Sequence, residues 1–189
     1  MEYLKYGLFD LFVFVIPGSF FLFSVMYLSN FNICAPSQMI AREFFATELK
    51  IFNLLVFISI SYVAGFLLSC IGSLILRGLE GLKILKKSGK GGRTIKYSIV
   101  REGSKENFKY VELWNCMKNF CLTLACAFLI LSFYFFSKFQ EFNWLCLSIG
   151  LVLTIILFHR ATIYLRWAHS DLDAAYTTLT EKNNGAVKS

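Results

Sequence analysis

Apolar residues fall into four long runs along this chain: Gly7–Ser29, Ile51–Leu76, Asn119–Ser137 and Phe142–His159. At a rise of about 1.5 Å per residue, each run matches a hydrocarbon core about 30 Å thick. The amphipathic helices of a soluble domain interrupt their apolar stripe every second or third residue, and these runs do not. The pattern predicts an all-α integral membrane protein built as a bundle of four transmembrane helices. Residues 1–76 then hold helices 1 and 2, 77–117 a basic insert, 118–160 the hairpin of helices 3 and 4, and 161–189 a helical tail. The first run reads as an uncleaved span. It is too long for a secretory signal, Met1-Glu2-Tyr3-Leu4-Lys5 is weakly basic, and no small-x-small cleavage site follows.

The two non-membrane segments carry shorter patterns. Thr94–Arg101 alternates with β character, Glu102–Asn107 reads as a turn, and Phe108–Leu113 reads as a second strand. A small β-hairpin is predicted between helices 2 and 3. Two strands alone are marginal, so the hairpin is expected to pack on the tail or on another chain. The tail continues helix 4 through Ala161–His169, and Ser170-Asp171-Leu172-Asp173 resembles a capped helical restart. Leu172, Tyr176 and Leu179 share one face of that restart, a stripe that must dock on the insert or on a partner.

Charge orients the bundle. Of 19 basic residues, only Arg42, Lys50 and Lys138 lie on one side of the four runs. Positive charge is retained in the cytoplasm, which places both termini and the insert there. A multi-pass protein of the bacterial inner (plasma) membrane is the expected setting, with the lipid bilayer as its first partner. The net charge of +7 follows from that topology and from contact with anionic headgroups. Tyr97, Phe108, Tyr110 and Trp114 are interleaved with the insert's lysines and arginines, but no nucleic-acid motif accompanies them. No direct nucleic-acid binding is expected. Of the six cysteines only Cys34 falls in an outer loop, and no Cys-x-x-Cys pair stands there, which excludes a thiol oxidoreductase.

Candidate functional residues form three groups. Asp10 lies about one turn inside the first run, followed by Pro17-Gly18, the expected kink or gate. A shallow Asp10 at headgroup depth and a structural kink are the plainer reading. In the second run Ser61, Gly65, Ser69 and Ser73 recur every four residues, a groove for close helix packing within the bundle or between protomers. A water-facing serine stripe is the competing reading. Contact with a partner or with anionic lipid is expected from Lys86, Lys87, Lys90 and Arg93, from Arg160 and Arg166, and from Leu172 and Tyr176. Lys86–Arg93 lacks the order of a phosphate-binding Walker loop, and His159 and His169 lack metal-ligand spacing. With no nucleophile–base pair and no paired carboxylates, neither an enzyme nor a cofactor or metal is expected.

The layout as a whole, with its Asp10 to Pro17-Gly18 segment and Tyr62-x-x-Gly65, resembles the small four-span membrane components of bacterial anti-phage defence, the Kiwa membrane subunits among them. The resemblance spans the full length and rests on architecture. It implies a homo-oligomer, with a tetramer as the working stoichiometry. It also implies a sensor of membrane disturbance that recruits a soluble cytoplasmic effector. A pore-forming effector and a small ion- or proton-coupled transporter are the alternatives.

Overall fold

The structure is a computed structural model that describes residues 9, 11–29, 51–81, 93–138 and 143–186. Every element among these is helical. A π-helical turn, Leu11–Val15, leads into α1 (Ile16–Ser29). Then come α2 (Ile51–Gly81), α3 (Arg93–Gly103), α4 (Lys105–Lys138) and α5 (Asn143–Ala186). Three stretches, Leu55–Gly78, Lys105–Ser137 and Trp144–Glu181, are long and apolar enough to cross a membrane, while Leu11–Met26 is a shorter apolar helix. Their outward faces carry large apolar side chains such as Leu74, Trp144 and Ile155, each at least 65% exposed. Water does not tolerate such surface in that density, and lipid does. This is a membrane protein.

The predicted β-hairpin does not form. Thr94–Arg101 lies within α3, and Phe108–Leu113 lies within α4, the same helix that supplies the third apolar run. The spacing that decides this is helical: Tyr97 and Val100, like Phe108 and Val111, stand three apart and face one core. Gly103 ends α3, and α4 begins after Ser104, whose carbonyl accepts the Phe108 N–H at 3.0 Å. Glu106 in that first turn suits the positive end of the helix. The expected break at Ser170 is also absent, because α5 runs through it without interruption. Ser170 has no orphan N–H to cap inside a continuous helix.

α4 and α5 form a long antiparallel pair. Phe136 meets Trp144 at one end (ring centroids 5.0 Å apart), and Trp114 meets Trp167 near the other (4.9 Å). Between them Leu122 and Ala161 are fully buried in one cluster with Leu76 of α2. Nearer the Phe136–Trp144 end, Thr154 Oγ1 donates to the Gly150 carbonyl at 2.8 Å and reaches across to the Ala125 carbonyl at 3.4 Å. That hydroxyl is thereby satisfied within a buried layer, where an orphan would be costly. A Cβ on Gly150 would fall on Ser132 Oγ. Gly150→Ala is therefore expected to destabilise the pair by about 1–3 kcal/mol, and Ser132→Gly to restore most of it. Thermal denaturation of the two single variants and the double variant in detergent checks this. A Gly150→Ala protein as stable as the wild type would rule out this close approach.

Along the far half of α5 the chain builds a core separate from the clusters around Leu76 and Leu68. Val100, Phe108, Val111, Ala168, Leu172 and Ala175 are buried together, with Tyr97, Trp114, Tyr176 and Leu179 packed around them. α3 lies along the far half of α5: Lys96 sits beside Asp173, and Gly103 beside Leu179. The chain thus runs outward along α3, turns at Ser104 and returns along α4. The result is a three-helix head continuous with two of the membrane helices.

Candidate functional site

The sequence candidates among the described residues fall mainly in two places, a helix crossing within the apolar bundle and the head with its base. At the crossing, Pro17 and Gly18 of α1 are buried, and Gly18 lies against Ser61 and Gly65 of α2. A Cβ on Gly18 would collide with the Ser61 carbonyl, and a Cβ on Gly65 with the Phe14 carbonyl. The two glycines are reciprocal: each lets the other helix's backbone reach contact distance. Phe14 closes the crossing edge-on against Tyr62 (5.4 Å) and Phe66 (5.8 Å). Proline carries no N–H and its ring crowds the preceding turn, which the wider π turn at Leu11–Val15 relieves.

The serine stripe divides along its length. Ser61 is fully buried and its hydroxyl has no hydrogen-bond partner among the described residues; Ser69 is 8% exposed and Ser73 half-buried. The Ser61 and Gly65 part of the stripe packs within one chain, against α1. Farther along, Gly72 meets Leu122 and Cys126 of α4. Asp10, the remaining member of the kink group, lies outside the described residues, as do Lys86, Lys87 and Lys90. Arg93 is the first residue of α3.

The base of the head is an aromatic cluster. Trp114 stacks on Tyr164 with ring planes 12° apart and meets Trp167 edge-on, and Tyr164 meets Trp167 at 5.6 Å. Arg160 lies over the Tyr164 ring at 5.9 Å, and both Arg160 and Arg166 are exposed. Rings with one apolar and one polar end, flanked by arginines, suit the headgroup layer of a bilayer. Trp114 Nε1 donates to Asp171 Oδ2 at 2.8 Å, which ties this layer to the head one turn above.

Two further contacts hold α3 to α5. Lys96 Nζ donates to Asp173 Oδ1 at 2.7 Å and lies 5.3 Å over the Tyr176 ring. With Asp173 59% exposed, solvent screens that pair to about 1 kcal/mol or less. Tyr97 packs edge-on against Phe108 at 4.8 Å. Burial, reinforced by the Glu112 carboxylate, pushes the Tyr97 phenol above its ordinary value, so it stays neutral.

Leu172 and Tyr176, expected at a partner or lipid contact, pack within the chain itself. Leu172 is 4% exposed in the head core, and Tyr176 packs against that core beneath Lys96. Their stripe is covered by the chain's own insert, because the insert is helical and presents a matching apolar face. The carboxylate–indole tie of Asp171 to Trp114 has no local signal in the sequence, since its members stand 57 residues apart. No group of three His, Cys, Asp or Glu that could hold a metal occurs among the described residues. Comparison with models of protein families, with curated proteins and with solved structures found no match, so function is argued from the chain's own residues.

Proposed function

We propose that this protein is an oligomeric sensor and recruitment subunit of a bacterial inner membrane, which docks a soluble cytoplasmic effector in anti-phage defence. Four spans, with Leu11–Met26 belonging to the first, put both termini and the head in the cytoplasm, as the distribution of basic residues requires. The observation that carries the reading is the continuity of α4 and α5 from the membrane into a separately packed head. A protein whose task ended in the bilayer has no need of a second hydrophobic core outside it. A head fixed to two spans transmits their position to whatever it holds. The pore reading draws less support, because the buried part of the serine stripe faces α1 and not water.

Extraction of the complex from native membranes in mild detergent, followed by mass determination, tests the proposal. An oligomer with a soluble companion supports it; an oligomer alone shifts the reading to conductance or transport. Replacing Lys86, Lys87, Lys90 and Arg93 together with serine is expected to weaken association with the partner or with anionic lipid while membrane insertion survives. Co-sedimentation with anionic vesicles and recovery of the companion measure this, and unchanged values for both remove the basic turn from the mechanism.

A further inference from the structure

One face of α5 changes character along its length in the order that a phospholipid does. Ile149 and Ile156, each 52% exposed, are followed by the exposed Arg160 and then by Tyr164 and Trp167. Successive spacings of seven, four, four and three residues keep these five on one side of the helix. That side turns away from α2: Phe158 packs into the clusters built on Leu68 and Leu76, and Arg160 stands about 200° round the helix from it. Arg160 is also the first charge after the fourth apolar run, and Lys118 of α4 is the last before the third. Lys118 stands one turn from Trp114, which stacks on Tyr164, and one turn from Leu122, which shares a buried cluster with Ala161. Both cations therefore belong to one level of the α4–α5 pair, where apolar chain gives way to charge.

We propose that Arg160 binds the phosphodiester of an anionic phospholipid, with Lys118 adding charge at the same level and the acyl chains lying along Ile149 and Ile156. The Arg160 guanidinium lies over the Tyr164 ring at 5.9 Å, and that ring is itself stacked on Trp114. A guanidinium held by its face keeps its N–H edges for two parallel hydrogen bonds to phosphate oxygens. The neighbouring carboxylates are drawn elsewhere. Asp171, on the same face but about 16 Å farther along the axis, accepts from Trp114 at 2.8 Å. Glu112 acts on the Tyr97 phenol of α3. The local charge then favours a headgroup whose phosphate is not offset by an ammonium of its own, such as phosphatidylglycerol, over zwitterionic phosphatidylcholine. The site also separates Arg160 from Arg166, which stands about 120° away round α5. It depends neither on the docking reading above nor on the basic turn at Lys86–Arg93.

The test uses the full chain, stripped of lipid in a neutral detergent and titrated with phosphatidylglycerol or phosphatidylcholine of the same acyl chains. Native mass spectrometry counts the lipids bound. The first phosphatidylglycerol is expected to bind about tenfold more tightly than the first phosphatidylcholine. Arg160→Gln should bring the two to near equality. Arg160→Lys should fall between, because the charge survives and the flat fork does not. Arg166→Gln should leave the preference unchanged, and so should serine at Lys86, Lys87, Lys90 and Arg93 together. Equal binding of the two lipids by the unaltered chain overturns the proposal. So does a preference that survives Arg160→Gln in a protein of unaltered helix content, or one that disappears with Arg166→Gln or with the serine turn. If Arg160→Gln lowers helix content, Arg160→Lys decides, and a preference equal to that of the unaltered chain overturns the site. Displacement of the bound lipid by an equal concentration of glycerol 3-phosphate assigns the site to a soluble phosphate and overturns it as well. The titration contains no protein partner, so its result is the same whether or not the native-membrane extraction recovers a companion.

Discussion

Gly18→Leu is expected to force α1 off α2 and to cost at least the ~1–3 kcal/mol typical of overpacked cores. The new side chain meets backbone, the Ser61 carbonyl and the Gly65 amide nitrogen, and not the movable end of a side chain. No rotamer change relieves that, so the helices must separate and the Phe14–Tyr62 and Phe14–Phe66 ring contacts go with them. The built-in comparison is Gly78, where an added Cβ meets nothing within 4 Å. Gly78→Leu should stay within about 0.5 kcal/mol of the wild type. Thermal denaturation of the two variants side by side in one detergent reads the difference. Equal melting temperatures would mean that the crossing is not a close one.

Leu172→Ala is expected to unfold the head and to leave the spans in place. The side chain is nearly fully buried, and its loss from a core costs about 2–5 kcal/mol through lost burial and the cavity left behind. Here the core has only six buried members, so one deletion removes a large share of what holds α3 down. Limited trypsin digestion of the membrane-embedded protein measures it: cleavage at Arg101 and Lys105 should accelerate at least tenfold, while the fragments spanning the membrane persist. Ile95→Ser, at a position 64% exposed on the same helix, should alter neither cleavage nor melting. If both variants digest alike, the head core is not what secures α3.

Membrane helices were legible because their signal is cumulative: a run such as Ile51–Leu76 needs no tertiary information to declare itself. The glycines and serines of the crossing were legible one helix at a time. That Gly18 and Gly65 answer each other was not, since a small-residue face does not say which helix approaches it. The insert misled for a physical reason. Thr94, Ile95, Tyr97, Ile99 and Val100 are β-branched or aromatic and alternate with polar residues, which satisfies a strand as well as a helix over so short a window. Tertiary context decided: the Leu172, Tyr176 and Leu179 stripe offers a helical surface, and only a helix puts Tyr97, Val100, Phe108 and Val111 against it. The same stripe was visible in the sequence, and its occupant was the chain itself.

The unbroken course of α5 has a mechanical consequence. From Thr154, within the apolar stretch, to Ala186 the helix extends about 48 Å at 1.5 Å per residue. For a stiff rod of that length, a change of about 10° in tilt around Thr154 sweeps the far end through roughly 8 Å, more than one helical pitch. Spans accommodate a change in bilayer thickness by tilting, among other means. A rod of this shape acts as a lever: a small displacement at one end is enlarged in proportion to the length of the arm.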